Sequence, residues 1–333
     1  MAQRRLTANE ALIEAMTEEM RRDRNVFILG EEVVGYEGMI QAYQSYAGME
    51  KEFGERMVST TMSEVGMIGA CVGAAISGMR PICDQLFSEM LALIMAPLID
   101  ASMAYYFTGG TVRIPLVIRM RYGVGVTRGH PADFHPWLLN TPGVKVVAPS
   151  NAYDAKGLMK SAIRDDTPVV YLEHLAICHG RRSEIPEEEY LIPIGKADIK
   201  REGKDLTVVA IGNMVNHSLK AAEELAKEDV DVEVLDLRTI IPMDREAIKQ
   251  SIRKTGRLVV AQENWKIGST GSEIAAFVAE ECFSDLKAPI VRMGMPHIPF
   301  VRAPELITLI TPTPKDVVEC VRQVLSLDRV ASA

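Results

Sequence analysis

The chain has five cysteines, at positions 71, 83, 178, 282 and 320, and no Cys-x-x-Cys spacing among them. An odd, scattered set excludes a disulfide framework or a zinc ribbon and points to a reducing compartment. Basic excess is also missing. Lys and Arg total 37 against 45 Asp and Glu, a formal net charge of −8, so the electrostatic footprint of a nucleic-acid binder is absent. The opening "MAQRRLTANEALIEAM" carries two arginines but no apolar core of the length a signal peptide needs. The small-residue run after Glu64 is too short and too rich in glycine to cross a bilayer. Phosphate and nucleophile signatures are missing as well. There is no GxxxxGK[ST], no GxSxG, and no GxGxxG between a strand and a helix; "GVGVTRG" (123–129) runs into His-Pro instead. A lone Rossmann or P-loop enzyme and an α/β-hydrolase are thereby excluded. What is left is a cytoplasmic α/β protein.

With 333 residues, 47% hydrophobic and 25% charged, the chain suits two domains with proper cores. Strand-like runs alternate with helical patterns. "NVFILG" (25–30) is a strand, residues 63–78 a helix, "RPICDQLF" (80–87) a strand, and residues 90–107 a long apolar helix. Then come strands at 114–120, 144–150 and 168–174, with a helix over 152–164. This rhythm predicts a mostly parallel sheet flanked by helices. Residues 176–205 are charged and aperiodic and read as a connector between a domain of residues 1–175 and an α/β domain of residues 206–333.

One acid interrupts "TTMSEVGMIGACVGAAISGMRPI" (60–82), namely Glu64, with no base beside it before Arg80. Thr61 followed by Glu64 has the spacing of a capping box, in which the glutamate merely satisfies backbone N–H groups. A second reading starts from the small face made by Gly66, Gly69, Ala70, Gly73, Ala74, Ser77 and Gly78. Each glycine costs a helix about 1 kcal/mol relative to alanine. That cost makes sense where another helix or a partner chain approaches closely, and Glu64 would then sit where desolvation raises a carboxyl pKa. The histidines give less. His130, Asp133 and His135 share a loop with Pro131 and Pro136, and His135 is spaced to hydrogen-bond Asp133. His174 and His179 are five apart and do not share a helix face.

Taken together, the segments "ILGEEVVGYEG" (28–38), "TTMSEVGMIGACVGAAISGMRPI", "TPGVKVVAPSNAYDAKGLMKSAIRDDTPVVYLEH" (141–174), "IPIGKADIKREGKDLTVVAIG" (192–212), "VEVLDLRTIIPMD" (232–244) and "MPHIP" (295–299) resemble β subunits of thiamine-diphosphate-dependent 2-oxo acid dehydrogenases. The resemblance covers nearly the whole chain and implies a transketolase-like pyrimidine-binding domain followed by a transketolase C-terminal-like domain. Acetoin dehydrogenase, a split transketolase and a non-catalytic scaffold subunit are the neighbouring readings. By this likeness Glu64 is the acid that hydrogen-bonds the cofactor's aminopyrimidine at the ring nitrogen opposite the amino group, favouring the imino tautomer. Glu31 and Met62 match positions lining that pocket. Met90 matches the residue that stacks on the pyrimidine, with Phe87 as its near neighbour. His130 matches a substrate-facing histidine, although Pro131-Ala132 replaces the usual Ser-Gln after it. Leu116, Ala162, Ile163 and Asp165 match a loop that holds a potassium ion in some members. The family's Gly-Asp-Gly…Asn signature for diphosphate and magnesium does not occur. The resemblance therefore implies an α subunit that holds the magnesium, an α2β2 heterotetramer, and a separate lipoyl acyltransferase component.

Overall fold

The computed structural model describes residues 4–34, 46, 48–123, 130, 132–301 and 303–331, with side chains as far as residue 327. The chain divides into two compact units, Met1–Tyr122 with Ala132–Ile194, and Gly123–Pro131 with Gly195–Ala333.

In the first unit a short ribbon, β1 (Arg5–Leu6) with β8 (Ser183–Glu184), runs antiparallel. Helix α1 (Ala8–Arg22) begins at a capping box, Thr7 with Glu10, and buries Leu12, Met16 and Met20 on one face. The main strands are β2 (Val26–Glu31), β3 (Met57–Thr60), β4 (Arg80–Phe87), β5 (Val117–Tyr122), β6 (Lys145–Val147) and β7 (Val169–His174). They lie in the order β6-β7-β5-β4-β2-β3, every pair parallel. The helices are α2 (Met49–Phe53), α3 (Glu64–Ile76), α4 (Leu91–Phe107), α5 (Ala152–Arg164) and α6 (Leu175–Cys178). One face of the sheet, through Ile28, Ile82, Val117 and Val169, packs its core against α1 and α5. Buried Lys156 and Lys160 of α5 reach Glu18 of α1 at 2.7 Å each, so charge as well as apolar surface fastens the two helices.

The opposite face carries α3 and α4. Ser88–Phe107 is long and apolar enough to cross a membrane by length and composition, yet Leu91, Ile94, Leu98 and Ala101 are buried within the unit. Both helices also leave apolar side chains in the open: Met62, Val65 and Ile76 around α3, and Leu93, Met103 and Phe107 on α4. A Cβ built on Gly69 or Gly73 would meet nothing within 4 Å. At Gly69 and Gly73, then, the small-residue face of α3 packs closely against none of the described residues.

Charges inside the buried strands pair with one another. Asp84 of β4 takes two bonds from Arg121 at 2.7 and 2.9 Å, and Glu173 of β7 takes two from Arg119 at 2.6 and 3.0 Å. The Tyr46 hydroxyl donates to Asp84 and accepts from Arg119. Burial pushes the Asp84 carboxyl up, but the two guanidiniums outweigh it and hold the group below the usual carboxylate range. Breaking such a set by removing one partner is far costlier than its net worth.

The second unit holds a sheet in the order β14-β13-β10-β11-β9. Its strands are β9 (Asp198–Arg201), β10 (Leu206–Ala210), β11 (Val232–Asp236), β13 (Leu258–Trp265) and β14 (Val291–Met295), parallel except for β9. The helices α7 (Asn213–Leu225), α8 (Arg245–Thr255), α9 (Thr270–Glu281), α10 (Pro304–Ile310) and α11 (Pro314–Ala331), with the short strand β12 (Thr239–Ile241), complete it. Val208, Val234 and Val259 of the sheet meet Met214, Ala221, Val317 and Val321 in a second core.

Candidate functional site

In the first unit the chain leaves β2 toward β3 on one side and leaves β4 toward β5 on the other. Parallel sheets bind ligands outside the carboxyl ends of their strands at such a reversal. The polar residues gather there. Glu31 ends β2, Thr60 ends β3, Gln85 and Phe87 end β4, Glu64 opens α3 directly after β3, and Met90 directly precedes α4. Glu31 is in register with Thr60, and Gly30 with Asp84, so Gln85 lies beside Glu31 across the neighbouring strand. Side chains in register share a face of the sheet. The close approach of β2 to β4 depends on Gly30, where an added Cβ would lie 2.8 Å from the Asp84 Cβ.

The backbone is unusual at both flanks. Glu32, after β2, has φ 52°, and Leu86, in β4, has φ 59°. Non-glycine residues pay for a left-handed conformation, and such residues concentrate at functional sites. Of the buried polar atoms that lack a partner among the described residues, three stand here: Glu32 Oε2, Thr60 Oγ1 and Gln85 Oε1. All three belong to these strand ends, which is what a site built to receive a polar ligand looks like.

Helix α3 starts at Glu64, with Ser63 as its N-cap and no side-chain capping bond. Glu64 is thus the first helical residue and not the third after a cap at Thr61, which removes the capping-box reading. Nor does it meet Arg80, which starts β4 at the other edge of the sheet. The Gln85 amide donates to the Glu64 backbone carbonyl at 3.3 Å. The acid whose proton affinity rises is Glu31: burial pushes its carboxyl up, and the charges of Glu64, Glu32 and Asp84 push it further. A negative charge nearby disfavours ionisation of a buried carboxyl, which is the sense of the rise at Glu31. Met62 is highly exposed beside them, while Met90 and Phe87 are half-buried.

The histidines separate. His135 is buried and its Nδ1 lies 2.6 Å from Asp133, which also accepts from the His135 backbone N–H at 3.1 Å. Asp133 is buried too, which raises its carboxyl, but the His135 ring and its bonds bring it below the usual range. Ser88, just past β4, donates to the Ala132 carbonyl at 3.1 Å. His130 groups with the second unit. Residues 124–129 and Pro131, on which its expected orientation depends, lie outside the described residues.

Leu116, Ala162, Ile163 and Asp165 converge, but at the amino edge of the sheet, before β5 and after α5. Arg80 Nη1 donates to the carbonyls of both Ile163 and Asp165 at 3.0 Å. The Leu116 carbonyl accepts from Val169 N at 2.8 Å, and the Ala162 carbonyl accepts from Asp165 N at 3.2 Å. The Asp165 carboxylate takes Lys145 Nζ at 2.6 Å and both donors of Thr167. A guanidinium and an ammonium already supply the positive charge here, so the expected potassium ion does not fit this donor set.

The family model described as Transketolase, pyrimidine binding domain, matches residues 4–176. The one described as Transketolase, C-terminal domain, matches residues 195–317. The chain is 42% identical to 2-oxoisovalerate dehydrogenase subunit beta of Bacillus subtilis (strain 168), covering 87% of this chain and 89% of that one. To the Pyruvate dehydrogenase E1 component subunit beta, mitochondrial, of Rattus norvegicus it is 42% identical, over 97% and 91% of the two chains. Among solved structures it resembles "Split gene transketolase, inactive beta4 tetramer", with TM-score 0.78 and 24% identity over 97% of this chain and 99% of that one. That likeness speaks for the fold.

Gln85 and Arg80 escaped sequence reasoning. Gln85 is one amide in a strand that otherwise reads as buried, and Arg80 carries no motif. The signal for Gln85 was present only as a polar residue at a strand end of a parallel sheet.

Proposed function

This chain belongs to the family of β subunits of 2-oxo acid dehydrogenase E1 components, and we propose that its first unit receives the aminopyrimidine end of thiamine diphosphate. The observation that carries the proposal is the pair Glu31 and Glu64 at the carboxyl ends of β2 and β3, with Glu31 held toward its neutral form by burial and by Glu64. The donor set fits the ring. A carboxylate facing a ring nitrogen can share a proton with it, and the Thr60 hydroxyl, without a partner among the described residues, offers a further hydrogen-bonding place.

Glu64 is the residue that exchanges a proton with the ring nitrogen. Glu31 is buried and held toward its neutral form, which limits the negative charge beside Glu64. Met62 and Met90 supply apolar surface for the flat face of the ring, methionine adapting where the family places an aromatic. When bound, the cofactor supplies the carbon nucleophile that attacks the substrate carbonyl and takes up the electron pair released on decarboxylation. His130 is the residue assigned to face the substrate.

The reaction so supported is decarboxylation of a 2-oxo acid with passage of the acyl group to a lipoyl carrier. An α subunit would hold the diphosphate and magnesium, since the signature for them is not in this sequence. The bare apolar and glycine faces of α3 and α4 are suited to such a partner, in an α2β2 assembly and in the cytoplasm. The test is Glu64→Gln in the complex reconstituted with the α subunit, followed by hydrogen–deuterium exchange at the reactive carbon of the bound cofactor. Loss of acid–base assistance slows exchange by roughly 10²–10⁴. Unchanged exchange with intact assembly would remove Glu64 from the chemistry.

A further inference from the structure

We propose that Gln85 is a positioning residue for Glu64. The claim rests on the reading of Glu64 as the cofactor-facing acid. Gln85 is 1% exposed. Its Nε2 lies 3.3 Å from the Glu64 carbonyl and 3.2 Å from Cys83 Sγ, its neighbour two residues back on the same face of β4. A backbone carbonyl can only accept, so the amide must turn its nitrogen to Glu64 and its oxygen away. That oxygen is one of the buried atoms without a partner among the described residues.

A leucine or methionine would fill the same space without burying an unpaired acceptor, so packing alone does not account for an amide here. What the amide adds is a tether between β4 and the first residue of α3. The tether is itself held from below. Leu86 turns left-handed at φ 59°, and the pairing of β4 with β5 shifts register between Asp84 and Phe87. Gln85 therefore stands at a fixed kink and fixes where α3 begins. The start of α3 is Glu64, and its carboxylate swings on that backbone position.

The experiment uses the reconstituted complex and compares Gln85→Met and Gln85→Glu with wild type and with Glu64→Gln. Exchange at the reactive carbon of bound thiamine diphosphate is followed by NMR, and affinity for thiamine diphosphate by calorimetry. Gln85→Met is expected to slow exchange by about tenfold or more at every pH, with affinity changed by less than about threefold. Gln85→Glu tests the bond itself. As a neutral carboxyl it can donate to the Glu64 carbonyl, and as a carboxylate it cannot. Its exchange relative to wild type should rise as pH is lowered from about 8 to about 5.5.

Wild-type exchange in Gln85→Met alongside slowed exchange in Glu64→Gln would overturn the role of Gln85 and leave Glu64 standing. Unchanged exchange in Glu64→Gln would overturn the reading beneath it. Affinity lost in parallel with exchange would overturn the proposal too, because a collapsed pocket would then be the cause. Should Gln85→Met fail to assemble, Gln85→Glu decides alone, and a flat ratio against pH overturns the tether.

Discussion

Glu31 is buried and its carboxyl holds its proton more tightly in the folded chain than in the unfolded one. For a carboxyl raised on folding, the contribution to stability is full below the unfolded pKa and is lost as pH rises through the folded pKa. Glu31→Gln, which cannot ionise, should raise the thermal midpoint by a few degrees at mildly alkaline pH. The gain should vanish in mildly acidic buffer, and a gain that grows on acidification would mean Glu31 is stabilised as the anion. The histidines make a second contrast. His135, buried and tied at 2.6 Å to Asp133, should act through its loop when changed to alanine, costing stability before turnover. His130→Ala should slow single turnover by about tenfold or more with cofactor affinity little altered; a larger kinetic loss from His135→Ala would reverse the assignment. Glu64 stands out in the sequence as the lone acid in an apolar run, whereas Glu31 entered only through the family resemblance. Gln85 was not legible, because its role depends on the register of β4 against β2, which only pairing across the sheet defines.

The elements whose patterns are local were the ones legible in the sequence. Residues 152–164 and 80–87 form the expected helix and strand, since Asn151 caps the one and a buried apolar run makes the other. Met57–Thr60 was missed, because four residues without a strong apolar pattern become a strand only by lying beside β2. The helix over 63–78 was legible, with α3 starting at Glu64 after Ser63 as N-cap; the capping box was misread, because Thr61 and Glu64 have its spacing while the chain is still leaving β3 there. The amino edge shows the limit most clearly. Arg80 bonds two loop carbonyls, pairs with Asp166 at 2.7 Å, and so ties β4 to the end of α5. Arg80→Met strands these acceptors and should destabilise the chain by about 1–3 kcal/mol in denaturant unfolding. The wild-type midpoint should be the same in potassium and in choline buffers; a potassium-specific rise would restore the ion to this loop.

At the scale of the molecule, the candidate site and the fastening sit at opposite ends of the same strands. The carboxyl edge carries the acids and the kinked backbone, the amino edge carries Arg80 and its loop, and a buried ionic layer of Asp84, Arg121, Arg119 and Glu173 lies in the strands themselves. The face of α3 is where a substitution should have opposite effects on the free chain and on the complex. A Cβ added at Gly69 meets none of the described residues within 4 Å, and Gly69→Leu replaces a poor helix former, so the isolated subunit should gain up to about 1 kcal/mol. Assembly with the α subunit should weaken by at least tenfold in sedimentation, since a close helix approach can no longer form; unimpaired assembly would place the partner elsewhere. The same bare face bears on how the subunit is made. A copy synthesised without a partner displays Met62, Val65, Ile76, Leu93, Met103 and Phe107 to whatever it meets, a surface of the kind that draws chaperones, proteases and other orphaned copies. The lifetime of the subunit is then set by the supply of its partner, and unbalanced synthesis of the two chains would be corrected by removal of the surplus one.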